Sequence, residues 1–208
     1  MPRFRGWVVK LGGSLGDSPR LTPWLSALAH PAARCIVVPG GGRFANAVRA
    51  AQADWGIPDD AAHAMALLAM AQYGLALHAR APALAVARGL GGLEQTESVG
   101  SRLWLPELAD QLALDMEGLP RDWSLSSDSL ALWLANRLGA DALVLVKSLE
   151  GPGIWNCTTE QLRDFSAQGV VDTFFPNLRP ACPVHVLAAG YDPLCDPDNL
   201  SGLYSSTS

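Results

Sequence analysis

Lysine is nearly absent from this chain of 208 residues: of its 15 basic residues only Lys10 and Lys147 are lysines, and the others are arginines. Where arginine serves wherever a positive charge is needed, a retained lysine points to a requirement for a compact ammonium rather than a planar fork. Cysteine is scarce too. Cys35, Cys157, Cys182 and Cys195 have no CxxC spacing among them, which excludes the common zinc and thioredoxin-like patterns and leaves unpaired thiols in a reducing compartment. Charge is sparse, at 17% of residues against 49% hydrophobic, a balance that excludes a disordered chain. The net charge of −5 argues against nucleic acid as the main partner, because phosphate-backbone binding needs a basic surface. No apolar run is long enough to cross a bilayer, and the stretch after the basic residues 1–5 is too short for a signal-peptide core. A soluble, cytoplasmic protein with no membrane partner is expected. GxxxxGK[ST] and GxGxxG are both missing, which excludes a P-loop and argues against a dinucleotide-dependent oxidoreductase.

What is present is a repeated strand, turn and helix. Residues 7–11 and 35–38 are short apolar runs stopped by glycines, and 142–146 is the clearest strand, ending at Lys147. Helices are expected over 21–28, 44–53, 61–78, 106–112, 127–137 and 159–167, with Gly139 as a left-handed cap after the fifth. Further strands are expected at 83–87, 103–105 and 184–187, with a turn at Gly190 and residues 89–100 as loop. The 61–78 helix, opened by Asp59-Asp60, is apolar nearly all round and is expected to be buried or to face another subunit. The alternation predicts an α/β fold, an open and mainly parallel sheet sandwiched between helical layers, whose ligands bind at the carboxyl ends of the strands. The length suits one domain.

Four segments at those strand ends can carry chemistry. Lys10-Leu11-Gly12-Gly13-Ser14 places two glycines and an ammonium after a buried strand, where backbone N–H groups can approach an anion. Pro39-Gly40-Gly41-Gly42-Arg43 forms a second such nest, and Arg43 can clamp a phosphate or carboxylate. Ser126-Ser127-Asp128-Ser129 is either an ordinary helix cap or the position of a carboxylate set between the two lysines. Lys147-Ser148-Leu149-Glu150-Gly151 follows the strongest strand; alone, Lys147 reads as a side chain reaching for water. His63 sits one turn into an apolar helix, where it is either packed or within reach of an acceptor phosphate. The seven tryptophans are expected in the core and at interfaces, with Trp123 or Trp133 near the site.

In order, VVKLGGSL, VVPGGGRFA and SSDSLALWLANRLGADALVLVKSLEG resemble the amino acid kinase superfamily over about three quarters of the chain. The resemblance implies an αβα sandwich that transfers the γ-phosphoryl group of ATP with Mg2+. It implies catalytic roles for Lys10, Asp128 and Lys147, nucleotide contacts from Gly12, Gly13, Ser14, Ser148 and Gly151, and an acceptor site at Gly40, Gly41, Gly42, Arg43, His63 and Ser127. It divides the single domain into an acceptor-side half, about 1–120, and a nucleotide-side half, about 121–208. No protein ligand to a metal is assigned, and a homo-oligomer acting on a small molecule is expected. Family members commonly carry another lysine in a C-terminal glycine-rich segment; here none follows Lys147. PDDAAHAMALLAMAQYG and LPRDWSLSSDSLALWLANRL most resemble the branch that converts a furan monophosphate to its diphosphate. Kinases for isopentenyl phosphate, uridylate or an amino acid, and a non-catalytic nucleotide- or oxoanion-binding protein on the same fold, are the alternatives.

Overall fold

The computed structural model describes residues 4–94, 100–151, 153–191 and 193, so Cys195 lies outside the described residues. The apolar run Trp7–Leu11 forms β1, fully buried, and α1 (Leu21–Leu28) follows through a 3-10 turn at Gly13–Asp17. β2 (Cys35–Pro39) leads into α2 (Gly42–Trp55), closed by Gly56 in the left-handed region, and then α3 (Asp59–Arg80). β3 (Ala85–Arg88), α4 (Gly89–Glu94), β4 (Arg102–Leu105) and α5 (Gln111–Met116) complete the first part. α6 (Ser127–Leu138), β5 (Ala142–Lys147), β6 (Gly153–Ile154), α7 (Thr159–Ala167) and β7 (Val184–Ala188) follow.

The strands form one sheet in the order β3-β4-β2-β1-β5-β7-β6, parallel throughout except for β6. β1 sits at the centre, paired with β2 on one side and β5 on the other. Side chains alternate across the sheet, so the two faces feed two cores. Val8, Leu143 and Leu145 meet Leu130 and Leu134 of α6, whereas Val9, Leu11, Val144 and Val146 meet Trp24 and Leu28 of α1. Among the described residues no helix is long and apolar enough to cross a membrane.

The expected α/β architecture is the one observed, with several local corrections. Residues 89–94 form a helix rather than loop, because the Asp110 carboxylate, twenty residues downstream, accepts from Leu90 N at 2.8 Å and holds the helix start. The helix expected at 106–112 starts later, after a 3-10 turn at Leu108–Asp110 built on a Glu107/Asp110 capping box. Asp59 and Asp60 lie in the first turn of α3, where they favour its dipole, rather than before it. One face of α3 is buried, but Leu68 and Leu75 are 42% and 45% exposed. The antiparallel β6 was not legible; two residues are too few for a periodic signal.

Candidate active site

Register puts both lysines on one face of the sheet. Lys10 pairs with Leu145 in the neighbouring strand, and Lys147 lies two residues beyond Leu145, hence on the same side. That side is covered by α6, whose first turn carries Asp128. Lys10 Nζ lies 2.8 Å from Asp128 Oδ1 as an ion pair, and Lys147 Nζ donates to Oδ2 at 2.6 Å. Lys10 and Asp128 are each only 4% exposed. Burial pushes the Asp128 carboxyl up, but the two ammonium groups outweigh it and hold it below the ordinary carboxylate range. Burial pulls Lys147 down to about 8, and the charge of Lys10 adds to this while Asp128 and Asp172 oppose it. Two ammonium groups on one carboxylate leave a net positive charge facing the strand ends.

If Lys147 works as a cation, its protonated form is the active one. Turnover is then expected to fall as pH rises through about 8, the value to which Lys147 is lowered. A profile of kcat against pH checks this.

The glycines bring two loops into backbone contact. Gly40 N donates to Leu11 O at 2.9 Å and Gly12 N to Val146 O at 3.1 Å. A Cβ on Gly13 would overlap Gly42 N, and one on Gly40 would overlap Gly13 N. Gly42 also has φ 54°, which favours glycine. The same loops form one rim of a cavity of about 340 Å³. Ser127 and His63 line it, and Arg43 stands at its exposed edge in an ion pair with Asp17. His63 is buried, and among the described residues its Nε2 has no hydrogen-bond partner. Burial lowers the His63 pKa against the raising effect of the Asp122 backbone, which favours the neutral ring. Ser14 and Ser148 meet through their hydroxyls at 2.9 Å. Gly151 is not part of this cavity; it lies in an open depression with Arg20, Gly190 and Tyr191.

Sequence reading missed two features. Arg49 lies over the Trp123 ring, 4.0 Å from its centroid, and both line the cavity beside Asn46, Leu67 and Met70. Trp123 is further fixed by its Nε1 donating to Gln52 Oε1 at 2.5 Å, whereas Trp133 is a core residue. Arg49 lies six residues after Arg43 in α2, a spacing at which helical side chains do not pair, so no local signal marked it. The second is Asp172, whose carboxylate accepts hydrogen bonds from Ser126, Ser129 and Phe175.

The parallel sheet carries at its carboxyl edge a buried carboxylate shared by two lysines, an arrangement suited to phosphate oxygens. The amino acid kinase family model matches residues 5–151, and the chain belongs to that family. It is similar to the [5-(aminomethyl)furan-3-yl]methyl phosphate kinase of Methanocaldococcus jannaschii, with 26% identity over 181 residues, covering 82% of this chain and 81% of that protein. Among solved structures it is similar to the uridylate kinase of Archaeoglobus fulgidus, with a TM-score of 0.67, 15% identity, and 96% of this chain and 97% of that one covered. The UMP kinase of Bacillus anthracis gives a TM-score of 0.64 at 14% identity, covering 97% of this chain and 94% of that one. These likenesses agree with the fold and the family expected from the motifs.

The family implies ATP and Mg2+, and the residues present suit the phosphates rather than the metal itself. Two close ammonium groups beside glycine backbones suit phosphate oxygens. Among the described residues no group of three His, Cys, Asp or Glu could hold a metal. The Asp128 carboxylate is already occupied by the lysines, so a magnesium ion would rest chiefly on phosphate oxygens and water.

Proposed function

We propose that the chain is a kinase that moves the ATP γ-phosphoryl group onto the phosphate of a small, flat-ringed molecule, giving a diphosphate. A furan methyl phosphate, of the type named for the M. jannaschii relative, is the first candidate. The observation that carries this reading is the cavity beyond the glycine loops, where an aromatic wall at Trp123 stands with Arg49, Arg43 and His63. Its size suits a compact ligand.

In this reading ATP supplies the phosphoryl group, and Mg2+ neutralises part of its charge. Lys10 and Lys147, spaced by Asp128, stabilise charge on the phosphoryl oxygens as it develops. Gly12, Gly13, Ser14 and Ser148 border the nucleotide phosphates, and Gly151 borders the nucleoside. Gly40, Gly41, Gly42, Arg43, His63 and Ser127 receive the acceptor, so the chain works as one domain with an acceptor half, about 1–120, and a nucleotide half, about 121–208. An acceptor phosphate is already ionised, so no general base is required. The exposed Leu68 and Leu75 of α3 support self-association, with no nucleic acid or membrane involved.

The test is purified protein with ATP and a panel of furan methyl phosphate, isopentenyl phosphate, uridylate and amino acids. Diphosphate formation fastest on the furan phosphate is expected. Nucleotide binding with no transfer to any acceptor would replace this reading by a non-catalytic binding protein. Trp123→Ala and Arg49→Met are each expected to raise the acceptor KM about tenfold, the equivalent of ~1.4 kcal/mol of stacking and charge. The ATP KM should stay within about twofold, which initial-rate kinetics with each substrate varied in turn would check.

A further inference from the structure

We infer that Asp172 is the positioning residue of the transfer centre: its carboxylate pins the first turn of α6 and thereby holds Asp128 between Lys10 and Lys147. The inference rests on the reading of those three residues as that centre. Asp172 lies after α7, outside every strand-end motif. Its Oδ2 accepts from Ser126 N at 3.0 Å, Ser126 Oγ at 2.7 Å and Ser129 N at 3.0 Å. Its Oδ1 accepts from Ser129 Oγ at 2.5 Å and Phe175 N at 3.0 Å.

These bonds take up N–H groups that a helix start leaves without intrahelical partners. The hydroxyl of Ser126, the N-cap, otherwise accepts from Asp128 N at a long 3.5 Å. The turn that carries Asp128 is therefore held from outside its own helix. Five donors converge on one carboxylate, which fixes the turn in rotation as well as position, and Asp128 has to reach two ammonium groups at once. Asp172 also acts on the centre through its charge. The ionisable groups facing Lys147 are Lys10, Asp128 and Asp172, and Asp172 favours the charged form of Lys147.

Asparagine cannot reproduce this arrangement. Placing its oxygen at Oδ2 turns its NH2 toward Phe175 N–H, and the reverse turns it toward Ser126 N–H and Ser129 N–H.

The sequence makes a direct test possible, because a chain with two lysines labelled with 13C-lysine gives two side-chain signals. Lys147→Arg assigns the one that titrates near 8. In Asp172→Asn that midpoint is expected to fall by about 0.5 or more, since a neighbouring negative charge is lost. With ATP and furan methyl phosphate, kcat is expected to fall about tenfold or more while the ATP KM stays within about threefold. Wild-type kcat, or a lower kcat with the lysine midpoint unmoved, would overturn the inference, the second outcome leaving Asp172 a cap and nothing more. Asp128→Asn runs alongside: full activity there overturns the reading of the centre itself, whereas loss there with wild-type behaviour in Asp172→Asn overturns only the role of Asp172. If Asp172→Asn does not fold, Ser129→Ala, which removes one donor and keeps the carboxylate, is expected to lower kcat severalfold and to lower the midpoint as Asp128 loses its place beside Lys147; wild-type kcat there overturns the inference equally.

Discussion

Lys10→Ala is expected to lower kcat by about 10²–10³, the range found when one preorganised charge or donor is removed from a transition state. The chain should stay folded, as judged by an unchanged circular dichroism spectrum. Without Lys10 the buried Asp128 carboxylate still has Lys147 at 2.6 Å, so no charge is orphaned. The companion change differs in kind. Asp128→Ala leaves two ammonium groups together with nothing between them, and breaking a buried pair in this way costs about 3–5 kcal/mol of stability. Lys10→Arg is expected to fail as well, because a planar fork does not fit a space matched to a compact ammonium. Wild-type kcat in Lys10→Ala would remove this residue from the transfer step.

Gly13→Ala is expected to be severely damaging. The added carbon would overlap Gly42 N and lie 2.5 Å from Gly42 Cα. Both are backbone atoms, with no side chain to swing aside. Overpacking of this kind costs about 1–3 kcal/mol or more, and each kcal/mol lowers Tm by about 2–4 °C in a chain of this size. The two strand-end loops would be forced apart, so activity should vanish along with the lost stability. Gly91→Ala is the control: it lies in α4 with nothing within 4 Å of the added carbon, and alanine is the better helix former. A thermal melt of the pair, with a turnover assay, separates the two.

Much of this was legible from residues alone. Glycines that stop apolar runs marked the ends of β1 and β2, because a buried strand and a tight turn each leave a local signature. Gly139 was expected as a left-handed cap and has φ 62°. The scarcity of lysine drew attention to Lys10 and Lys147, and the period of two in β1 and β5 explains why they face the same helix. What escaped was non-local. Asp110 starts a helix twenty residues before it, and Asp172 holds a helix start more than forty residues before it. No window along the chain contains both partners of such a bond. Trp123, expected near the site, stacks with Arg49 across 74 positions of sequence, so the pairing itself had no local signature. Arg43, prominent as the residue after three glycines, is exposed and tied to Asp17.

The two sides of the site differ in how firmly they are anchored, and this bears on motion. The lysines ride on β1 and β5, central strands whose apolar side chains are completely buried on both faces of the sheet. Opening that region would require most of the molecule to unfold. On the opposite side α2 meets α3 through a small separate cluster of Ala45, Val48, Ala62 and Ala69, whereas α3 is itself rooted in the two sheet cores through Leu67, Met70, Tyr73 and Leu77. Side chains that small bury little apolar surface, so α2 is held to α3 far less strongly than the strands are to one another. α2 can therefore shift around an incoming molecule while the charges at the sheet edge stay in place, with Arg49 carried on the helix that moves and His63 on the one that does not.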